Sequence, residues 1–172
     1  IQPADPRLLV EMLETGKVDG IFVPSPSPEL CEYKGIGKIV VSSGEMIPGH
    51  PCCVLALKDS FIREYPDLAK IIVKCHIRAE KFIVEKPDEA IKIGTQKLAE
   101  LWGQPEDFVM TIVERAIKDN PTGLSFNPNP HAIVDGVMNY VDIHWELGYI
   151  PVKPTVEDMF DFSLYDEVIK EM

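Results

Sequence analysis

The chain has 172 residues, of which 45% are hydrophobic and 26% are charged, so it is long enough to bury one or two compact cores. Its 17 basic and 28 acidic residues give a net charge of −11, which would repel a phosphate backbone or an anionic membrane surface. We therefore expect no nucleic-acid partner. No apolar run reaches the length of a membrane span.

The first part of the chain is predicted to alternate between helix and strand. Pro6 suits the first position of a helix, and Gly16 is predicted to end that helix. Short apolar runs rich in β-branched residues predict buried strands at 18–23, 38–42 and 52–57. A strand that follows a helix after a tight connection is typical of a layered α/β sheet.

The second part of the chain is predicted to be helical. Proline has no N–H and a fixed φ, both of which fit the first turn of a helix. We predict four helices that begin at Pro66, Pro87, Pro105 and Pro130, with Asn129 as the N-cap of the fourth, and a last helix from Ser163 to Met172. Gly103 and Gly148 are predicted to end two of them. Three strands are too little sheet for these apolar helix faces, so a further layer is expected elsewhere.

A serine–proline bend, residues 24–28, follows the first predicted strand. Prolines alternate with serines in it, which holds the backbone rigid and prevents it from continuing a sheet. Open α/β sheets bind their ligands at the carboxyl ends of strands, and a helical turn that starts at Pro28 would offer free N–H groups to an anion. We therefore predict that Pro24, Ser25, Pro26 and Ser27 contact a ligand.

A second candidate lies in the irregular loop 43–51, where Gly49 and His50 precede two cysteines. A histidine beside thiols could bind a soft metal or activate a thiolate, but neighbours in sequence converge poorly on one ion. A structural role for His50 ranks first, a hydrogen bond to a small ligand second and a metal third. Cys52 and Cys53 would point to opposite faces of a strand.

No catalytic residue, metal or cofactor is predicted. The sequence has no glycine-rich phosphate loop, His-Glu-x-x-His motif, kinase signature or Gly-x-Ser-x-Gly elbow. Asp142 and Glu146 lie one helical turn apart, a spacing that suits acid–base chemistry but that we interpret as a solvated helix face. The four cysteines form no disulfide framework and are expected to be small buried side chains.

Three stretches, in order, resemble ABC-transporter solute-binding proteins of the nitrate/sulfonate/taurine type, the NMT1/THI5-like group. Lys17-Val18-Asp19-Gly20-Ile21-Phe22-Val23, before a proline loop, resembles the "G-x-V-D-A" strand and loop of that family, although Gly20 stands where relatives often have alanine. Residues 61–90, with helix openings at Tyr65-Pro66-Asp67 and Glu85-Lys86-Pro87, are similar to its next pattern. Residues 140–150 and 159–161 resemble its closing helix and end.

The resemblance implies a periplasmic-binding-protein-like type II α/β fold, in which two lobes joined by crossing strands close on a solute by a hinge motion. Family members are longer, so this chain would be the C-terminal portion of that fold, with an N-terminal portion of the same protein missing. Residues 1–50 would be the end of the second lobe and the return crossing, and residues 51–172 the C-terminal half of the first lobe. The serine–proline bend would line the cleft, with Gly49 and His50 in the return crossing.

The implied function is that of a solute-binding component of an ABC importer, which acts with a permease and holds a small anionic molecule without changing it. Such a protein works outside the cytoplasm, as a periplasmic protein or a membrane-anchored lipoprotein.

Two alternatives stay open. The first is a thiamine-pyrimidine or related biosynthetic enzyme on the same scaffold, which would be cytoplasmic; one branch of the family carries a cysteine cluster near the strand that matches Cys52 and Cys53. The second is a structural or regulatory ligand-sensing module. Cysteines without evident pairing fit a reducing compartment slightly better than an oxidising one, which is the main observation against an extracytoplasmic location.

Overall fold

The structure is a computed structural model that describes residues 4–49 and 51–172. Every regular element in these two ranges is a helix, and neither range contains a β-strand. The predicted α/β fold class is therefore wrong for this chain.

The three segments predicted as strands, 18–23, 38–42 and 52–57, have no regular secondary structure. A strand is stable only when its N–H and C=O groups pair with a neighbouring strand, and no described segment forms such a ladder. Several of their apolar side chains are accordingly open to solvent: Val40 is 92% exposed and Phe22 is 77% exposed. The β-branched composition indicated a local preference but could not supply a pairing partner.

Ten α-helices lie in the described residues. They are α1 (Pro6–Glu14), α2 (Ser27–Tyr33), α3 (Ser43–Met46), α4 (Asp59–Glu64), α5 (Pro66–Glu85), α6 (Pro87–Trp102), α7 (Glu106–Glu114), α8 (Val134–Glu146), α9 (Val156–Met159) and α10 (Ser163–Glu171). A π-helix, Arg115–Asp119, continues α7, and a 3₁₀-helix, Pro130–Ile133, precedes α8.

The predicted helix starts are confirmed at Pro6, Pro66 and Pro87, which are the first residues of their helices. Pro105 directly precedes the first residue of α7, and Pro130 opens the 3₁₀-helix. The Asn129 side chain accepts a hydrogen bond of 3.1 Å from the backbone N–H of His131, as expected of an N-cap. The helix ends predicted at Gly16, Gly103 and Gly148 are also confirmed, each in a left-handed conformation.

The chain divides into two compact units. Unit 1 is Ile1–Met46 with Lys86–Ser125, and unit 2 is Ile47–Glu85 with Phe126–Met172. The division into family lobes near residue 50 stays a prediction. The core of unit 1 forms where α6 packs against α7, and its buried members are Ile91, Ala99, Val109 and Val113.

In unit 2, α5 packs against α10 and α4. Ala69 and Ile77 of α5 and Val168 of α10 are buried, and an ion pair joins Lys70 to Glu167 at the edge of this contact. No helix in the described part of the chain is both long and apolar enough to cross a bilayer.

Candidate functional site

The serine–proline bend leads into α2 and is held by three side chains that we call the Ser25 cluster: Ser25, Glu29 and Thr122. The Ser25 hydroxyl donates a hydrogen bond of 2.8 Å to Glu29 Oε1 and lies 2.8 Å from Thr122 Oγ1. The Thr122 hydroxyl is also within 3.2 Å of the same carboxylate oxygen. These contacts fix the bend, within unit 1, to a loop that is distant in sequence.

Glu29 is the buried member of the Ser25 cluster, with 0% of the residue exposed. Both hydroxyls face Oε1, whereas Oε2 has no hydrogen-bond partner among the described residues. A buried polar atom without a partner costs roughly 1–3 kcal/mol. Such a group in a native protein is explained by a functional role, by stored strain or by a bound water or ion, and each of these makes the cluster a candidate site.

The other end of α2 stops in a Schellman motif at Gly35. The N–H of Gly35 bonds the carbonyl of Glu32 at 3.0 Å, and the N–H of Ile36 bonds the carbonyl of Cys31 at 3.0 Å. Gly35 has φ +68°, a conformation that strains residues with a Cβ. The turn brings the N–H of Ile39 to 3.0 Å from Glu32 Oε1. This hydrogen bond fixes the segment that follows the turn to the side chain of Glu32 on α2.

A cleft of about 570 Å³ lies beside this turn, and we call it the Arg115 cleft. Its lining residues are Glu32, Gly35, Ile36, Gly37, Lys38 and Arg115. The Arg115 guanidinium pairs with Glu32 Oε2, and the Ile39 hydrogen bond, followed by Arg115, holds the pKa of Glu32 below its ordinary value. Lys38 is exposed and forms no ion pair with a described residue. Two cations therefore face one carboxylate.

The π-helix that begins at Arg115 connects the cleft to the Ser25 cluster. It ends where the N–H of Asn120 bonds the carbonyl of Arg115 at 3.0 Å, and Asn120 has φ 46°, in the left-handed region. The Asn120 side-chain amide donates a hydrogen bond of 2.8 Å to the carbonyl of Leu124, which shapes the loop that carries Thr122. Single π-turns occur frequently at functional sites, and a non-glycine residue in this conformation is uncommon.

The remaining residues predicted on the bend surround Ser25. Pro24 is exposed, while Pro26 is the N-cap of α2 and Ser27 is its first residue, both half-buried. The N–H of Ser27 bonds the carbonyl of Pro24 at 3.1 Å, and the Ser27 hydroxyl bonds no described residue. Ligand binding by these four residues stays a prediction.

Gly49, the first of the two residues predicted in the loop 43–51, belongs to unit 2. A Cβ placed on Gly136 of α8 would lie 2.4 Å from the carbonyl oxygen of Gly49. The backbone of the loop therefore lies against α8 at a position where only glycine fits. His50 lies outside the described residues, and its role stays a prediction.

The cysteines are partly as expected. No cysteine takes part in a disulfide, and Cys31 is buried, which raises the pKa of its thiol. Cys52, Cys53 and Cys75 are exposed, so the expectation that they are buried is wrong. The sulfur atoms of Cys52 and Cys53 lie 3.8 Å apart rather than on opposite faces of a strand. The described residues contain no group of three or more His, Cys, Asp or Glu side chains placed to hold a metal ion.

The sequence pattern predicted Ser25 but not Glu29, Glu32, Arg115 or Thr122. The available signal was the pair of acids three residues apart directly after the bend, because that spacing places both on one face of a helix. Nothing local marked Arg115 or Thr122, which lie in the second segment of unit 1.

Comparison with known proteins gives one family and one relative. The sequence model of the NMT1-like family matches residues 3–97. The chain is also 27% identical, over 74 residues, to the nitrate import ATP-binding protein NrtC of Synechocystis sp.. The aligned part is 43% of this chain and 11% of that relative, so the chain spans about a tenth of its length. No solved structure matches the chain.

Proposed function

Because the chain belongs to the NMT1-like family, we propose that it is the solute-binding component of an ABC importer and holds a small anionic solute without transforming it. The relative named above is a nitrate import protein, which supports a link to the transport of small oxyanions. The observation that carries the proposal is the fixed position of the serine–proline bend, since a binding loop that is already ordered loses little entropy when a solute binds.

The two serines of the bend have different roles in this proposal. The Ser25 hydroxyl already donates a hydrogen bond to Glu29 and contacts Thr122, so it is not available to a solute. Ser27 leaves its hydroxyl available, and it stands at the first turn of α2. In this proposal Ser25 positions the bend and Ser27 contacts the solute, with Pro24 and Pro26 keeping the backbone rigid.

The carboxylate of Glu29 limits where an anion can lie. It occupies the first turn of α2, and its charge would repel an anion placed directly above that turn. The solute would therefore contact the Ser27 side of the bend. Groups from the rest of the protein would complete its binding site. We further propose that the protein acts outside the cytoplasm and delivers its solute to an ABC permease.

The test is a thermal-shift and calorimetry series on the full-length protein with nitrate, a sulfonate, bicarbonate and a pyrimidine precursor. A true solute at 100 times its Kd should stabilise the protein by about 2.7 kcal/mol. Ser27→Ala should weaken that stabilisation, whereas Ser60→Ala on the exposed face of α4 should leave it unchanged. The proposal fails if no solute stabilises the protein, or if one of them is converted to a product, which would favour the enzyme.

A further inference from the structure

We infer that the Arg115 cleft is a second binding site of unit 1, for a small organic oxyanion such as a carboxylate or a phosphate ester. It lies at the C-terminal end of α2, whereas the serine–proline bend lies at the N-terminal end. A helix of this length separates the two by about 10 Å. The cleft is thus distinct from the solute contact proposed above.

The cleft has hydrogen-bond donors that the protein itself leaves unused. The Arg115 side chain is 40% exposed, and only its Nη2 bonds Glu32. Lys38 contributes an ammonium group with no ion pair in the described chain, and the N–H groups of Gly37 and Lys38 bond no described residue. Guanidinium, ammonium and paired backbone N–H groups are the donors by which proteins hold oxyanions.

The charges at the cleft favour an anion although the protein as a whole is acidic. Glu32 is ionised, since its pKa is lowered, and Arg115 neutralises it. Lys38 then leaves one net positive charge at the cleft, in a chain whose net charge is −11. A long polyanion would be repelled by the rest of the surface, whereas a small anion meets only the local field.

The lining of the cleft, rather than its volume of about 570 Å³, indicates the class of ligand, because the cleft is a shallow depression that is open to solvent. The half-buried side chain of Ile36 adds an apolar wall beside the two cations, which suits an anion that carries a small organic group.

The test is an NMR titration of the full-length, isotope-labelled protein with inorganic phosphate and with citrate, compared with chloride at equal ionic strength. We expect saturable shifts of the Gly35, Gly37 and Lys38 amide signals with phosphate and citrate, while the Ser27 signal stays in place. Lys38→Gln should weaken the binding by about 10-fold, or ~1.4 kcal/mol. Arg115→Lys, which keeps the charge but loses the planar fork, should also weaken it.

Lys92→Gln is the matched control, because Lys92 is an exposed lysine of unit 1 on α6, outside the cleft. The inference is overturned if the shifts do not saturate, if chloride causes the same shifts, or if Lys38→Gln binds as tightly as the parent protein. Binding of an acidic peptide without binding of either small anion would overturn it as well. None of these outcomes depends on the solute of the serine–proline bend, so failure here leaves the proposed function standing.

Discussion

The hydroxyl oxygens of Ser25 and Thr122 lie 2.8 Å apart, although 97 residues separate the two in the chain. Ser25 belongs to the first segment of unit 1 and Thr122 to the second, so their contact helps to join the two segments. The carboxylate of Glu29 accepts hydrogen bonds from both. A binding loop near the start of the chain thereby depends on a loop near residue 122.

Thr122→Val should destabilise unit 1 by about 1 kcal/mol. The substitution keeps the shape of the side chain but removes a hydrogen bond from a buried carboxylate that already lacks a partner at Oε2. Thr122→Ser, which keeps the hydroxyl, should recover most of the loss. The free energy of unfolding is measured from urea denaturation of each variant.

Thr111→Val on α7 is the control for this prediction. The Thr111 hydroxyl also donates a hydrogen bond, of 3.1 Å to the carbonyl of Asp107, but at an exposed position. Its loss should change the free energy of unfolding by less than about 0.5 kcal/mol. Equal losses in Thr111→Val and Thr122→Val would mean that burial of the Ser25 cluster has no energetic importance.

Gly136→Ala should destabilise the protein by about 1–3 kcal/mol. The added Cβ would lie 2.4 Å from the carbonyl oxygen of Gly49, and this overlap outweighs the gain of about 1 kcal/mol that alanine brings to a helix. The paired substitution Gly94→Ala adds the same atom to α6 with nothing within 4 Å, and it should raise stability by roughly 0.5–1 kcal/mol. Thermal unfolding of both variants, compared with the parent, gives the two signs; a stabilising Gly136→Ala would contradict the close approach.

The ion pair of Glu32 makes stability depend on pH in a defined direction. The pKa of Glu32 is lowered in the folded protein by the Ile39 N–H and then by Arg115 and Lys38. The stability that ionised Glu32 contributes to the folded protein is therefore complete above the ordinary pKa of a glutamate. It disappears as the pH falls through the lowered pKa. The free energy of unfolding, measured from denaturation curves between pH 7 and pH 3, should therefore fall in the parent protein by the contribution of Glu32. This part of the fall should be absent from Glu32→Gln.

Glu32→Gln should also tighten binding of phosphate or citrate at the Arg115 cleft, although it weakens the fold. The substitution removes the negative charge that competes for the Arg115 guanidinium, so both cations become available to the ligand. Calorimetric titration of the variant and the parent measures the change. Glu100→Gln, at an exposed acid on α6, should alter neither affinity nor stability appreciably.

Alkylation of the native protein should distinguish Cys31 from the other cysteines. Cys31 is buried, so a reagent reaches its thiol least, and burial also raises the pKa of that thiol. Burial raises the pKa of the Cys52 thiol too, so access rather than thiolate formation separates the two. Cys52, Cys53 and Cys75 are exposed and should react first with iodoacetamide. Mass spectrometry should find three modified cysteines under native conditions and a fourth only in denaturant; early modification of Cys31 would place it at the surface.

The sequence predicted the helices well because their signals act over a single turn. Pro66 and Pro87 determine a helix start through their own missing N–H and fixed φ, and Asn129 caps its helix two residues away. The strands were mispredicted because a strand depends on a partner that the local sequence does not contain. Val40 shows the difference, since it has the composition of a buried strand residue and is almost fully exposed.

The candidate site was predictable to the same extent. The prolines around Ser25 are local, and they identified the bend. Thr122 is 97 residues from Ser25, and Arg115 is 83 residues from Glu32, so no periodicity within one element could connect them. Only the packing of the two segments of unit 1 brings these side chains together.

The π-turn at Arg115–Asp119 has one residue more than a regular turn of α-helix would need. A chain one residue shorter at this point could continue α7 as an ordinary helix, and every later side chain would then be rotated by about 100° around the helix axis. Thr122 would no longer face Ser25. Homologous proteins that carry this single-residue deletion are therefore expected to have lost the threonine contact, even where the serine and prolines of the bend are retained.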